Sequence, residues 1–99
     1  MSPRPKKPRH CNCPHRPSGM VMKPAGIPTK ALGKIILEID ELEALRLCDS
    51  EGMSQAAAGE SMGVSRGTVQ RLVTSGRRKM IAAIIERNAL VIETEEDRA

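Results

Sequence analysis

A chain of 99 residues makes one small domain with a modest core, and since it contains no Phe, Tyr or Trp, that core is left to Leu, Ile, Val, Met and Ala. The missing aromatics also exclude stacking of single-stranded bases on exposed rings, the principle of RNA-recognition and OB-type sheets. The formal net charge of +4 understates the polarity of the chain, because its signs are segregated: two separate acid-free stretches suit a polyanion such as duplex DNA.

The first of these stretches precedes Glu38 and carries Arg4, Lys6, Lys7, Arg9, Arg16, Lys23, Lys30 and Lys34. Within it, residues 1–23 are rich in Pro, Lys, Arg and His, and Pro3, Pro5, Pro8, Pro14 and Pro17 forbid a regular helix. We expect a flexible basic arm there, of the kind that adds phosphate contacts or enters a minor groove. The basic start is not followed by a signal-peptide core, and no apolar run approaches membrane-span length. No membrane contact and a cytoplasmic location are therefore expected.

His10-Cys11-Asn12-Cys13-Pro14-His15 offers four nitrogen and sulfur ligands for zinc or another thiophilic metal. One intervening residue is short for two thiolates on a tetrahedral ion, no second ligand pair follows nearby, and Cys48 joins only if the arm folds back. The expectation is free thiols and no cofactor, with three cysteines also failing to make a disulfide framework.

Lys23-Pro24-Ala25-Gly26-Ile27-Pro28 forms a turn-rich junction to the domain proper, which we place at residues 24–93. The β-branched run Lys34-Ile35-Ile36-Leu37-Glu38-Ile39 predicts a strand. Asp40, with Glu43 three residues on, predicts a capped helix start. The helix, from Glu41 to about Ser50, sets Leu42, Leu45 and Leu47 or Cys48 on one side, and Glu41, Glu43, Arg46 and Asp49 on the other. On that pattern Cys48 is a buried core thiol, not a ligand.

Gly52 leads into the stretch around which the chain is organised, residues 53–72, which predicts two helices joined by a tight turn. Ser54 and Ser65 are each placed to cap a helix, and Gly63 supplies the left-handed residue that ends the first. Ala58, Met62, Val64, Val69 and Leu72 fall at inward positions, while Gly59 sits where the second helix comes closest. A merely structural helical pair needs the apolar spacing alone; the small residue, turn glycine and second cap in this register predict a helix-turn-helix.

The second helix continues through Val73, Met80, Ala83 and Ile84, although Gly76 is expected to weaken or bend it. This extended face is more apolar than a small core needs, so a homodimer through residues 80–85 and packing on the first helix are both open. Ala89-Leu90-Val91-Ile92-Glu93 alternates as a strand and is the natural partner of residues 34–39. The acidic residues 94–99 are expected to be disordered. The predicted architecture is thus mainly α: a three-helix, helix-turn-helix domain with a basic arm and a small two-stranded β element.

If the helix opening at Ser65 enters a major groove, Val69, Leu72 and Val73 face inward, and Arg66, Gly67, Thr68, Gln70, Arg71 and Thr74 are turned to DNA. Arg66 and Arg71 match guanine, and Gln70 matches adenine, as bidentate partners of base edges. Ser54, Ser65 and Thr68 suit phosphates, as do the backbone N–H groups at the two helix starts. Arg77, Arg78 and Lys79 lie further along and are expected to add salt-dependent affinity.

Several of these motifs together, Lys23-Pro24-Ala25-Gly26-Ile27-Pro28, Asp40-Glu41-Leu42-Glu43-Ala44-Leu45-Arg46-Leu47, Met62-Gly63-Val64-Ser65-Arg66, Gln70-Arg71 and Arg77-Arg78-Lys79, closely resemble the prokaryotic uncharacterised protein family 0251, or domain-of-unknown-function-134 group. The resemblance spans roughly residues 2–93. It implies a DNA-binding protein whose helix-turn-helix is similar to that of sigma-factor region 4, and it implies no established biological role. The chain departs from the family pattern at Val21 and Met22, where aromatic residues are usual, in the glutamate-poor first helix Gln55-Ala56-Ala57-Ala58-Gly59, and at Gly67, a poor helix former near the start of the recognition helix.

Sequence-specific binding of double-stranded DNA by a transcription regulator is accordingly the expected function. An enzyme is not expected, because no nucleophile is placed beside a base and no glycine loop cradles phosphate. Two other readings compete. One is a sigma-like adaptor that holds RNA polymerase or another protein through the acidic helix 41–51; the other is a metal- or redox-responsive regulator using His10, Cys11, Cys13 and His15.

Overall fold

In the computed structural model, which describes residues 19–93, Val21–Met22 form a short strand, β1, before the turn containing Pro24, Gly26 and Pro28. The chain reaches β2, Lys34–Glu38, through a single 3-10 turn at Thr29–Ala31. Ile35 and Ile36 favour the extended backbone. The strand ends one residue before the predicted limit because Ile39 already opens helix α1, Ile39–Leu45.

The cap of α1 is Glu38, in a reciprocal capping box with Glu41, and not Asp40 with Glu43 as predicted. The Glu38 backbone N–H donates to Glu41 Oε1 at 2.8 Å. The expected polar face is corrected as well: Glu41 and Glu43 are 3% and 0% exposed, Glu41 because α1 turns it toward α3. Both glutamates have partners, as buried charge requires. Arg46 donates to both oxygens of Glu43, at 2.7 and 3.1 Å; Glu41 takes its partners from a later helix. Past Leu45 the helix runs on as a π turn, Arg46–Ser50.

Helix α2, Gln55–Met62, is capped by Ser54, whose Oγ accepts the Ala57 N–H at 3.1 Å. Gly63, at φ 70°, ends it in the left-handed region where a side chain is disfavoured. Helix α3, Arg66–Glu86, is 21 residues long and does not break at Gly76. That glycine is buried, and a Cβ there would stand 2.7 Å from Leu45 Cδ1. Its missing side chain is what lets α1 cross α3, an advantage larger than the helix propensity it forfeits, about 1 kcal/mol.

Strand β3, Ala89–Glu93, pairs in parallel with β2 from Lys34↔Ala89 to Glu38↔Glu93. The helices between them supply the crossover that parallel strands need. β1 adds to the other edge of β3, antiparallel, with Val21 opposite Val91 and Met22 opposite Leu90, giving the order β1-β3-β2. The sheet is therefore three-stranded where two strands were expected. Residues 19–22 belong to it, not to an arm: Gly19 N–H donates to Ile92 O at 2.6 Å and Ile92 N–H to Met20 O at 2.9 Å. The physical reason is the open backbone edge of β3, whose N–H and C=O groups need partners. The rest of the predicted arm with its Cys/His cluster, and the acidic tail 94–99, lie outside the described residues.

Two apolar clusters hold the elements together. Ala44, Leu45, Leu47, Ala58, Met62, Val69 and Val73 form the first, with Cys48, Val64 and Leu72 at its margin. The second joins Leu37, Leu90 and Ile92 of the sheet to Ala83 of α3, with Ile35, Ile39 and Leu42 packed against it. The protein is mainly helical with a small sheet, and among the described residues no helix is long and apolar enough to cross a membrane.

Candidate nucleic-acid interface

Only Gly63, Val64 and Ser65 separate α2 from α3. So short a turn works because Gly59 has no side chain: a Cβ there would lie 2.7 Å from the backbone oxygen of Val64. Ser65 has extended backbone angles, and its Oγ accepts the Thr68 N–H at 3.1 Å. Met62, Val69 and Val73 are buried between the helices, which fixes the outward side of α3 by helical geometry.

On that side Arg66, Gly67, Gln70, Arg71, Thr74, Arg77 and Arg78 are exposed. Thr68 is half-buried and links the cap to an arginine. Its Oγ1 lies 2.9 Å from Ser65 Oγ and accepts from Arg71 Nη2 at 3.0 Å. The Arg71 guanidinium is thereby held along the first turn of α3, with its other donors outward. Ordering it in advance lowers the entropy lost when it binds.

Two shallow recesses border this surface. One lies between α2 and α3 at the turn, lined by Ala56, Gly59, Glu60 and residues 63–66 and 68; the other is lined by Gln70, Arg71, Thr74, Ser75 and Arg78. Ala56 and Glu60 were absent from the sequence-based set. Their four-residue spacing on α2 puts them on one face and was the available signal.

The structure separates the three cations at 77–79. Arg77 donates to Asp49 at 2.6 and 3.1 Å, tying α3 to the π turn. Lys79 points the other way, to Glu41 Oε1 at 2.7 Å, where the Ser75 hydroxyl also donates to Glu41 Oε2. Arg78 is exposed beside Arg71 and Thr74. Lys79 thus braces α1 against α3, and its ammonium is directed away from the other predicted contacts.

The hydrogen bond from Arg77 holds the Asp49 carboxyl below the usual carboxylate range. A depressed carboxyl stabilises the fold above its unfolded pKa, and that contribution is lost as pH falls through the folded value. Both side chains are well exposed, so the effect is small. We expect Asp49→Asn to leave the urea midpoint unchanged at neutral pH within repeat error, and to remove a shallow acid-side slope in a pH series of such melts. Burial, then the Asp49 charge, pushes the neighbouring Cys48 thiol up, with Arg77 opposing. The thiol stays protonated at neutral pH, as suits a group packed on the core margin.

A three-helix domain with a small mixed sheet, organised on a turn-joined helix pair that presents a basic face, defines the class of protein. The chain belongs to the family described as "Protein of unknown function DUF134", which matches residues 1–98. It is similar to a UPF0251 protein of Vibrio vulnificus, 44% identical over 90 residues, covering 91% of this chain and 88% of the relative. A UPF0251 protein of Shewanella piezotolerans is 44% identical over 95 residues, 96% of this chain and 93% of that one. One from Chlorobaculum tepidum is 39% identical over 93 residues, 93% of this chain but 61% of the relative. No solved structure matches the chain.

Proposed function

We propose that this protein binds double-stranded DNA as a cytoplasmic transcription regulator, with the N-terminal half of α3 lying in the major groove. The observation that supports this reading most is the outward face of α3. Arg66, Gln70, Arg71, Thr74 and Arg78 are exposed together there, on a helix whose first acid is Glu86. A face of donors without carboxylates suits both phosphates and the acceptor-rich edge of guanine.

In this reading Arg66, Gln70 and Arg71 meet base edges. Ser54, Ser65 and the backbone N–H groups at the starts of α2 and α3 meet phosphates, Thr68 steadies Arg71, and Gly67 lets the backbone approach closely. Arg78 adds sequence-independent attraction. The adaptor reading is less well supported, because Glu41 and Glu43 of the acidic helix are internal, and Asp49 is engaged with Arg77.

A mobility-shift series across salt tests the proposal, using duplexes selected from a random pool. Arg71→Ala should weaken the selected duplex by about 1–3 kcal/mol and random duplex much less; Arg78→Ala should weaken both alike and lower the salt slope by about one. Absence of any retarded duplex at low salt would refute DNA binding.

A further inference from the structure

The outward side of α3 changes character along its length. Its N-terminal half is basic, whereas Ile81, Ile84 and Ile85 in the C-terminal half are 59%, 70% and 75% exposed. Beside them a groove opens between α3 and β1, its apolar lining Met22, Pro24, Met80, Ala83, Ile84 and Leu90 joined by Lys23, Arg87 and Asn88. Met20, just before β1, is exposed as well, whereas the exposed Val21 faces the other side of the sheet from Met22. Six large apolar side chains leave a patch on the order of several hundred Å², within the range of the largest patch on a monomer.

We infer that a second copy of this chain covers the patch, the two α3 helices packing antiparallel, flank to flank, through their C-terminal halves. The feature is self-complementary, as a two-fold interface requires: it has both a protruding ridge, Ile81 and Ile85, and a groove beside it for the partner's ridge. Flexible methionines at the groove, Met22 and Met80, adapt to an inserted isoleucine.

At about 100° per residue, Ile81 and Ile85 lie within about 60° of Gln70, Thr74 and Arg78, so the ridge continues the line of the basic face toward the C-terminus of α3, and the groove opens on its flank at Met80 and Ile84. The interface does not rest on the proposed function.

Sedimentation of the full chain without DNA tests the interface. A dimer at micromolar concentration is expected. Ile84→Asp and, separately, Ile81→Asp should each raise its dissociation constant at least 100-fold while leaving the circular dichroism spectrum unchanged, since both side chains are exposed in the protomer. A monomeric wild type, or a dimer indifferent to both substitutions, overturns the interface. A dimer that retards no duplex upholds the interface and refutes the DNA reading, so the two failures are distinct.

Discussion

Glu41→Ala should destabilise the domain by about 3 kcal/mol, because it strips a nearly inaccessible carboxylate from three donors at once. Those donors are the Glu38 backbone N–H, the Ser75 hydroxyl and the Lys79 ammonium, so one side chain joins the end of β2, the start of α1 and the middle of α3. Deleting it leaves the α1 start uncapped and two polar groups on α3 facing an apolar contact. In urea, where a domain of this size loses about 1 kcal/mol per molar, the midpoint should fall by 2–3 M. Lys79→Met alone should cost less, since the lysine is 30% exposed and water screens part of its attraction. Combining both substitutions should cost less than their sum, the mark of a direct interaction. If the Glu41→Ala melt overlays that of the wild type, the buried carboxylate is not what joins the elements.

Gly59→Val should cost about 2–3 kcal/mol and reduce DNA binding further than unfolding alone explains. The contact is with the backbone oxygen of Val64, 2.7 Å from any Cβ, and a backbone atom in a three-residue turn has little room to yield. Relief comes only by moving Ser65 and Arg66 outward, which shifts the start of α3 and every side chain that the proposed function sets in the groove. Gly59→Ala should cost less, because the gain in helix propensity, about 1 kcal/mol, offsets part of the clash. Thermal melts give the first effect; mobility shifts at a temperature where the variant is fully folded give the second. A Gly59→Val protein of native stability and native affinity would mean the turn tolerates far more room than its geometry implies.

Local signals were strong wherever a residue acts on its own backbone or on neighbours in the chain. Ser54, Gly63 and Ser65 each determine one helix end through a hydrogen bond or a torsion confined to a few residues, and the structure places all three caps where the sequence put them. The β-branched run at 34–39 and the alternation in 89–93 were likewise sufficient for two strands, the first ending one residue early. Where a cap depends on distant partners, sequence was not enough. The sequence pointed to Asp40, and the structure uses Glu38 with Glu41, whose carboxylate also takes Ser75 and Lys79, more than thirty residues away.

The sequence by itself therefore determined the turn-joined helix pair, the inward set at Ala58, Met62, Val69 and Val73, and the acid-free outward face of α3, since capping and helical period act over a few residues. Tertiary structure alone decided that Gly76 is a crossing point and not a break, that β1 completes a third strand, and that Arg77 and Lys79 turn toward carboxylates and away from Arg78. Each of those outcomes depends on a partner distant in the chain: Leu45 for the glycine, the open edge of β3 for the strand, Asp49 and Glu41 for the cations. Charge and hydropathy name what a residue would accept as a neighbour, and only the packed fold supplies the neighbour.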